Sequence, residues 1–191
     1  MNILFLGSED LELYYWLKNN HKDVLFMNRK IDIKYISKIN PSIVISHGYK
    51  HIITDDIIKH LSGNIINLHV SYLPWNRGSS PNLWSFVDET KKGVTIHFID
   101  KGIDTGDIIL QKELSFDEDI ETLKTSYYKL QKELKDLFKN NWDDIINKNY
   151  KSISQDLSEG SIHYDRETNK ILKSFDNDVW DIPITKFKKK I

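Results

Sequence analysis

Cysteine is missing from the 191-residue chain. That excludes disulfides, thiolate metal sites and a thiol nucleophile. Long apolar runs are missing as well, since none approaches the roughly 20 residues of a membrane-spanning helix. The apolar start, MNILFLGSEDLE, is too short for a signal peptide, lacks a basic flank and turns acidic at once. Charge of either sign is not in excess: 27 Lys and Arg face 28 Asp and Glu, a formal net charge of -1. No broad field therefore steers the molecule toward nucleic acid. These absences predict a cytoplasmic protein with neither a membrane nor a nucleic acid as partner. Glycine is sparse, and five of the eight glycines fall between Gly63 and Gly106. Loops at strand ends that need unusual backbone angles are expected there.

What is present alternates. Asn2–Leu6, Val24–Met27, Ser42–Ser46 and Ile65–Val70 read as strands. Between them, Asp10–Lys18, with Leu11, Tyr14, Tyr15 and Leu17 on its buried face, Ile33–Ile39 and Asp55–Leu61 read as helices. Pro41 closes the second helix, Thr54 N-caps the third and Gly63 follows its end. Strand–helix alternation predicts an α/β fold, a Rossmann-like, mostly parallel sheet flanked by helices. Gly93–Ile99 and a strand beginning at Asp107 follow, joined by the loop DKGIDTG. One long amphipathic helix is predicted over Asp119–Ile146, with Ser115 and Glu118 at capping-box spacing before it. The catalytic domain is placed at 1–150. Residues 151–191 form a C-terminal extension, in which SIHY and KILKSF flanking DRETN suggest a β-hairpin.

Chemistry concentrates in INLHVSYLPWNRG. Asn67 and His69 are two residues apart on a strand, so both leave the same face. Histidine can move a proton near neutral pH, and an amide NH2 can donate to a developing oxyanion. Asp104, in a loop after a strand, can orient and charge-stabilise the imidazole. No serine or cysteine nucleophile is placed beside them, which suits direct attack of one substrate on another. The alternative is a satisfied polar pair bracing the loop at Pro74. His97 lies on the strand GVTIHFI and reads as structural or pocket-lining. His69, His97, Asp100, Asp104 and Asp107 lack a compact metal motif, so no metal is expected. Gly7-Ser8-Glu9 makes a poor phosphate cradle, with one glycine and an immediate acid. Trp75, Arg77 and Trp84 are candidates for substrate binding, with packing as the alternative for the two tryptophans and an internal bond to the Asp104 loop as the equal alternative for Arg77.

The segment INLHVSYLPWNRGSSPNLWS, followed by KGVTIHFIDKGIDTGDIILQ, resembles the catalytic core of formyltransferases that use 10-formyltetrahydrofolate. The pattern is Asn67-x-His69, Ser71-Tyr72-Leu73-Pro74, Arg77-Gly78-Ser79-Ser80-Pro81 and Asp104-Thr105-Gly106-Asp107, covering about residues 42 to 115. The resemblance implies that Asn67 binds the formyl oxygen as it becomes an oxyanion, that His69 transfers the proton and that Asp104 positions His69. It implies 10-formyltetrahydrofolate as co-substrate, with Gly48, Tyr49, Ile99, Gly102 and Ile103 walling the pterin pocket.

The phrases SYLPWNRG, PNLWS and GSIHY look most like the stand-alone sugar N-formyltransferases. The expected acceptor is therefore the primary amine of a nucleotide-linked amino sugar made for surface polysaccharide of O-antigen (lipopolysaccharide) type. Methionyl-tRNA and glycinamide ribonucleotide formyltransferase are the alternatives within the family. They are disfavoured by the length of the chain after residue 150 and by Gly7-Ser8-Glu9. About 35 residues separate the first strand from SIVIS, short enough to expect a trimmed or missing βα unit. An inactive folate-binding protein, a metal-dependent formyl hydrolase and a homodimeric state stay open.

Overall fold

The apolar run at the N-terminus becomes the strand from which the sheet grows in both directions. The computed structural model describes residues 1–7, 10–173, 175 and 177–191, so the predicted cradle residues Ser8 and Glu9 lie outside the described residues. In order, the chain forms β1 (Asn2–Gly7), α1 (Glu12–Asn20), β2 (Asp23–Met27), α2 (Ile33–Ile39), β3 (Ile43–His47), α3 (Asp55–Leu61) and β4 (Ile65–His69). It continues through β5 (Arg77–Gly78), α4 (Pro81–Val87), β6 (Lys92–Phe98), β7 (Ile108–Leu114), α5 (Leu123–Asn140) and α6 (Trp142–Asn147). The last elements are β8 (Ile162–His163), α7 (Asp165–Leu172), a 3-10 turn at Asn177–Trp180 and α8 (Ile184–Lys188).

Six strands form one sheet in the order β2-β1-β3-β4-β6-β7. The first four are parallel, and β6 and β7 pair antiparallel. This is the mostly parallel, helix-flanked sheet expected from the alternation. The interval before β3 holds two helices and a strand, so both βα units are present in short form.

The two sheet faces explain where polar side chains can go. Phe5, Ile45, Leu68 and Ile96 meet Leu13 and Leu17 of α1 and Leu130, Leu134 and Phe138 of α5. The opposite face buries Leu4, Val44 and Ile65 against Ile36 of α2 and Ile57 of α3. Buried apolar surface of this kind supplies most of the folding drive. Asn67 and His69 belong to the second face, beyond Ile65 toward the carboxyl end of β4, which is where open α/β sheets bind ligands.

Several local expectations change. The predicted long helix breaks at Asn141 into α5 and α6, and it starts later than Asp119. Thr122 supplies the cap, its hydroxyl accepting from Thr125 N–H at 3.1 Å, while Glu118 pairs with Lys188 at 2.9 Å. A distant cation therefore took the acid that spacing alone gave to the cap. In α1 the fully buried residues are Leu13 and Leu17, whereas Tyr15 is 55% exposed. Thr54 holds the N-cap position of α3, but its hydroxyl bonds the Asp56 carboxylate rather than a backbone N–H.

The expected C-terminal hairpin is not formed. DRETN opens α7, with Tyr164 N–H donating to Glu167 at 2.8 Å. Ile162–His163 instead pairs, in parallel, with Arg77–Gly78. Among the described residues, no helix is long and apolar enough to cross a membrane.

Candidate active site

Strand period puts Asn67 and His69 on one face. Strand pairing then adds neighbours that the local sequence does not name. Ser46 of β3 stands beside Asn67 in register, and His97 of β6 stands opposite it. His97 Nδ1 lies 2.7 Å from the Phe98 carbonyl, so in its neutral form the proton sits there and Nε2 is an acceptor. Asn67 Nδ2 donates to that Nε2 at 3.2 Å and to Asp104 Oδ1 at 3.3 Å. Both contacts are long, so a stronger acceptor such as an oxyanion can displace either.

Asp104 stands in the left-handed region at φ +52°. Its Oδ2 accepts from Gly78 N–H at 2.9 Å and lies 3.7 Å from His69 Nε2. Burial works to raise the Asp104 pKa. The two imidazoles and the Gly78 N–H outweigh it and hold the group well below the usual carboxylate range. Even with both imidazoles neutral, the N–H donors of Gly78 and Asn67 favour the carboxylate.

His69 is 8% exposed, and its Nε2 is buried without a hydrogen-bond partner among the described residues. Burial lowers its pKa, opposed by the Asp104 charge and by the Asn76 carbonyl. A neutral imidazole with a free Nε2 lone pair is equipped to accept a proton. Beside it, the turn from Ser71 to Trp75 is fixed by Thr95, whose hydroxyl donates to Ser71 O at 2.6 Å and accepts from Leu73 N–H at 3.2 Å. Gln111 adds a 2.8 Å bond to Leu73 O.

A cleft of about 430 Å³ opens over Asn67, His97 and Asp104, while His69 lies behind them and is not among its described lining residues. Tyr49, Ile99, Gly102 and Ile103 line it together with Ser46, Asn67, His97 and Asp104. Tyr49 offers its ring, because its hydroxyl already accepts from Ile31 N–H at 3.1 Å and donates to Arg29 O at 2.8 Å. Apolar walls with a few convergent polar groups suit a flat heteroaromatic ligand. Gly48 does not line this cleft. It borders a separate cavity of about 360 Å³ with Asp10, His47, Tyr127, Gln131 and Lys135.

The three substrate candidates are placed elsewhere. Arg77 is buried, and its Nε donates to Ser161 O at 3.3 Å. Trp84 stacks on His163 at 3.9 Å and donates to Thr168 Oγ1 at 3.0 Å. Trp75 is half-buried in the turn after Pro74. None of the three is among the described residues lining the Asn67 cleft. Conversely, His97 is more than a wall, being the acceptor that orients Asn67. Its signal was present, since it shares a face with Thr95 on a strand that had to pair with something. Among the described residues no group of three His, Asp or Glu side chains is arranged to hold a metal ion.

Comparison with known proteins identifies the family. The family model described as "Formyl transferase" matches residues 18–140. The crystal structure of the formyltransferase PseJ from Anoxybacillus kamchatkensis, in complex with UDP-4,6-dideoxy-4-formamido-L-AltNAc and tetrahydrofolate, superposes with a TM-score of 0.91 at 40% identity. That match covers 100% of both chains. A likely sugar N-formyltransferase from Mycobacterium tuberculosis gives a TM-score of 0.80 at 25% identity, covering 89% of this chain and 78% of that one. Methionyl-tRNA formyltransferase of Clostridioides difficile is 38% identical over 89 residues, 46% of this chain but only 29% of that protein's length. With the family model covering the stretch that holds Asn67, His69 and Asp104, and with a match across both whole chains to a solved formyltransferase, the chain belongs to the formyl transferase family.

Proposed function

We propose that the protein is an N-formyltransferase that moves the formyl group of 10-formyltetrahydrofolate to the primary amine of a nucleotide-linked amino sugar. The observation that carries the acceptor is the 40% identity over the whole of both chains to a protein whose structure holds a UDP-linked formamido sugar and tetrahydrofolate. The chemistry is supported by the unpartnered Nε2 of His69 beside the Asn67 amide and the Asp104 carboxylate.

In this reading the pterin occupies the cleft bounded by Tyr49, Ile99, Gly102 and Ile103. The formyl carbon then lies over the carboxyl end of β4. The neutral amine attacks that carbon, a C–N bond forms and the carbonyl oxygen becomes an oxyanion. Asn67 Nδ2 donates to it, exchanging one of its two long contacts for a charged acceptor. His69 Nε2 takes the proton from the attacking nitrogen. Asp104 stabilises the imidazolium. Collapse breaks the bond to the folate nitrogen, and the proton passes from His69 to that leaving nitrogen. No covalent enzyme intermediate is needed.

The nucleotide on the acceptor is a leaving group for glycosyl transfer, so the product is destined for a glycosyltransferase. Surface polysaccharide of O-antigen type is the proposed destination, with the reaction in the cytoplasm. The deciding experiment is a panel of UDP- and dTDP-linked amino sugars incubated with 10-formyltetrahydrofolate, with products weighed by mass spectrometry. A gain of one formyl group on a nucleotide sugar is expected. Efficient formylation of methionyl-tRNA with no turnover across the panel overturns the acceptor.

A further inference from the structure

Residues 151–164 follow the core and run along the loops of the site. Ile153 forms an antiparallel bridge with Ile108 at the start of β7. Two residues later, Gln155 Nε2 donates to the carbonyls of Asp104 and Gly106, at 3.0 and 2.7 Å. Further on, Ser161 O and His163 O accept from the N–H groups of Arg77 and Ser79, at 3.0 and 2.9 Å. Between those two lies Gly78, whose own N–H donates to Asp104 Oδ2. One segment thus fixes both the backbone that carries the Asp104 carboxylate and the backbone donor that the carboxylate receives.

The loop needs such a hold. A non-glycine residue at φ +52° occupies a sparsely populated region and persists only where its surroundings impose it. Gln155 meets the loop with donors alone. Both bonds use its NH2 group, and its Oε1 is buried with no partner among the described residues. An acid of the same shape is acceptor-only when ionised and faces two carbonyls.

We propose that Gln155 is a positioning residue: its amide holds the 104–106 turn so that Asp104 faces His69 and Asn67. Residues 151–164 are then part of the active site and not a dispensable extension. The kinetic arm of the test rests on the formyl-transfer reading, whereas the titration arm does not.

The variants are Gln155→Met, which keeps length and volume, Gln155→Glu, Asp104→Asn and the double variant Q155M/D104N, all in the full chain. The first readout is the His69 titration midpoint, followed by NMR without substrate. The charged and titratable groups that bear on His69 are Asp104 and His97. Because the carboxylate favours the imidazolium, the midpoint falls in Asp104→Asn and in Gln155→Met. The double variant matches Asp104→Asn alone.

The second readout is turnover. Gln155→Met lowers kcat about tenfold to a hundredfold, the scale for displacing a working group by about 1 Å, while KM for the folate moves less than about twofold. Gln155→Glu is no better at neutral pH. If Gln155→Glu fails to fold, Gln155→Met alone carries both readouts. A folded Gln155→Met with wild-type midpoint and kcat overturns the proposal, as do effects of Gln155→Met and Asp104→Asn that simply add. If the wild-type protein transfers no formyl group, the functional reading fails and the His69 midpoint still decides the role of Gln155.

Discussion

His69 Nε2 and Asp104 Oδ2 lie 3.7 Å apart, close enough for strong electrostatic coupling but too far for a hydrogen bond. The imidazole edge therefore keeps its lone pair, which in the proposed mechanism takes the substrate proton while the carboxylate stabilises the charge that follows.

In the proposed mechanism Asn67 and His69 carry the reaction. Asn67→Ala and His69→Ala should each lower kcat by about a hundredfold or more, the scale for losing an oxyanion donor or a general base. Circular dichroism should show an intact fold for both. Folded variants with near wild-type turnover would contradict the assignment.

Acid should destabilise the fold through its buried histidines. Burial lowers the pKa of His47, opposed by its bond to Gln131, and burial likewise lowers that of His69. In the unfolded chain both titrate near their ordinary value of about 6.5. Between that value and the lower folded one, the unfolded state binds more protons, so stability falls as pH drops through the window. Asp104 remains charged there, and its contribution is lost only in stronger acid. The melting temperature should be level above about pH 7 and decline below about pH 6.5. His47→Gln should flatten that decline. A melting temperature that rises from pH 7 to pH 5 would refute this account.

Folate should stabilise the protein by mass action. A non-reactive formyltetrahydrofolate analogue at about 100 times its Kd should add about 2.7 kcal/mol. The thermal shift should persist in chelator. Ile103→Asp, which places a charge in the cleft wall, should abolish the shift without unfolding the protein, because Ile103 is 45% exposed. An unchanged shift in that variant would move the folate site elsewhere.

Gly106 leaves no room for a side chain. A Cβ there would lie 2.0 Å from the Phe98 carbonyl oxygen, a backbone atom of β6. Gly106→Ala should cost about 1–3 kcal/mol, typical of overpacking, and should displace the Asp104 turn. Calorimetry should show a melting temperature several degrees lower, with kcat falling more than KM rises. Wild-type stability and turnover would show that the turn is more yielding than its contacts indicate.

The shared face of Asn67 and His69 was readable from the sequence because strand geometry is local. Alternation by two places Asn67 and His69 on one face whatever the rest of the chain does, and Gly102 and Gly106 mark the loop that carries Asp104. The βα alternation likewise follows from periodicities of a few residues, which backbone sterics dictate.

What only the tertiary structure decided are pairings between distant residues. His97 reaches Asn67 because β6 runs antiparallel to β4 in one particular register. Gln155 reaches Asp104 across 51 residues of chain. Ile162–His163 pairs with Arg77–Gly78, and that displaced the hairpin suggested by its own neighbourhood. Lys188 takes Glu118 from its local capping role, and His163 takes the face of Trp84 that otherwise suits a ligand. Each of these is a choice among chemically equivalent partners. Local propensity does not rank such partners, and the packing of the whole chain, by deciding which are brought within contact distance, does.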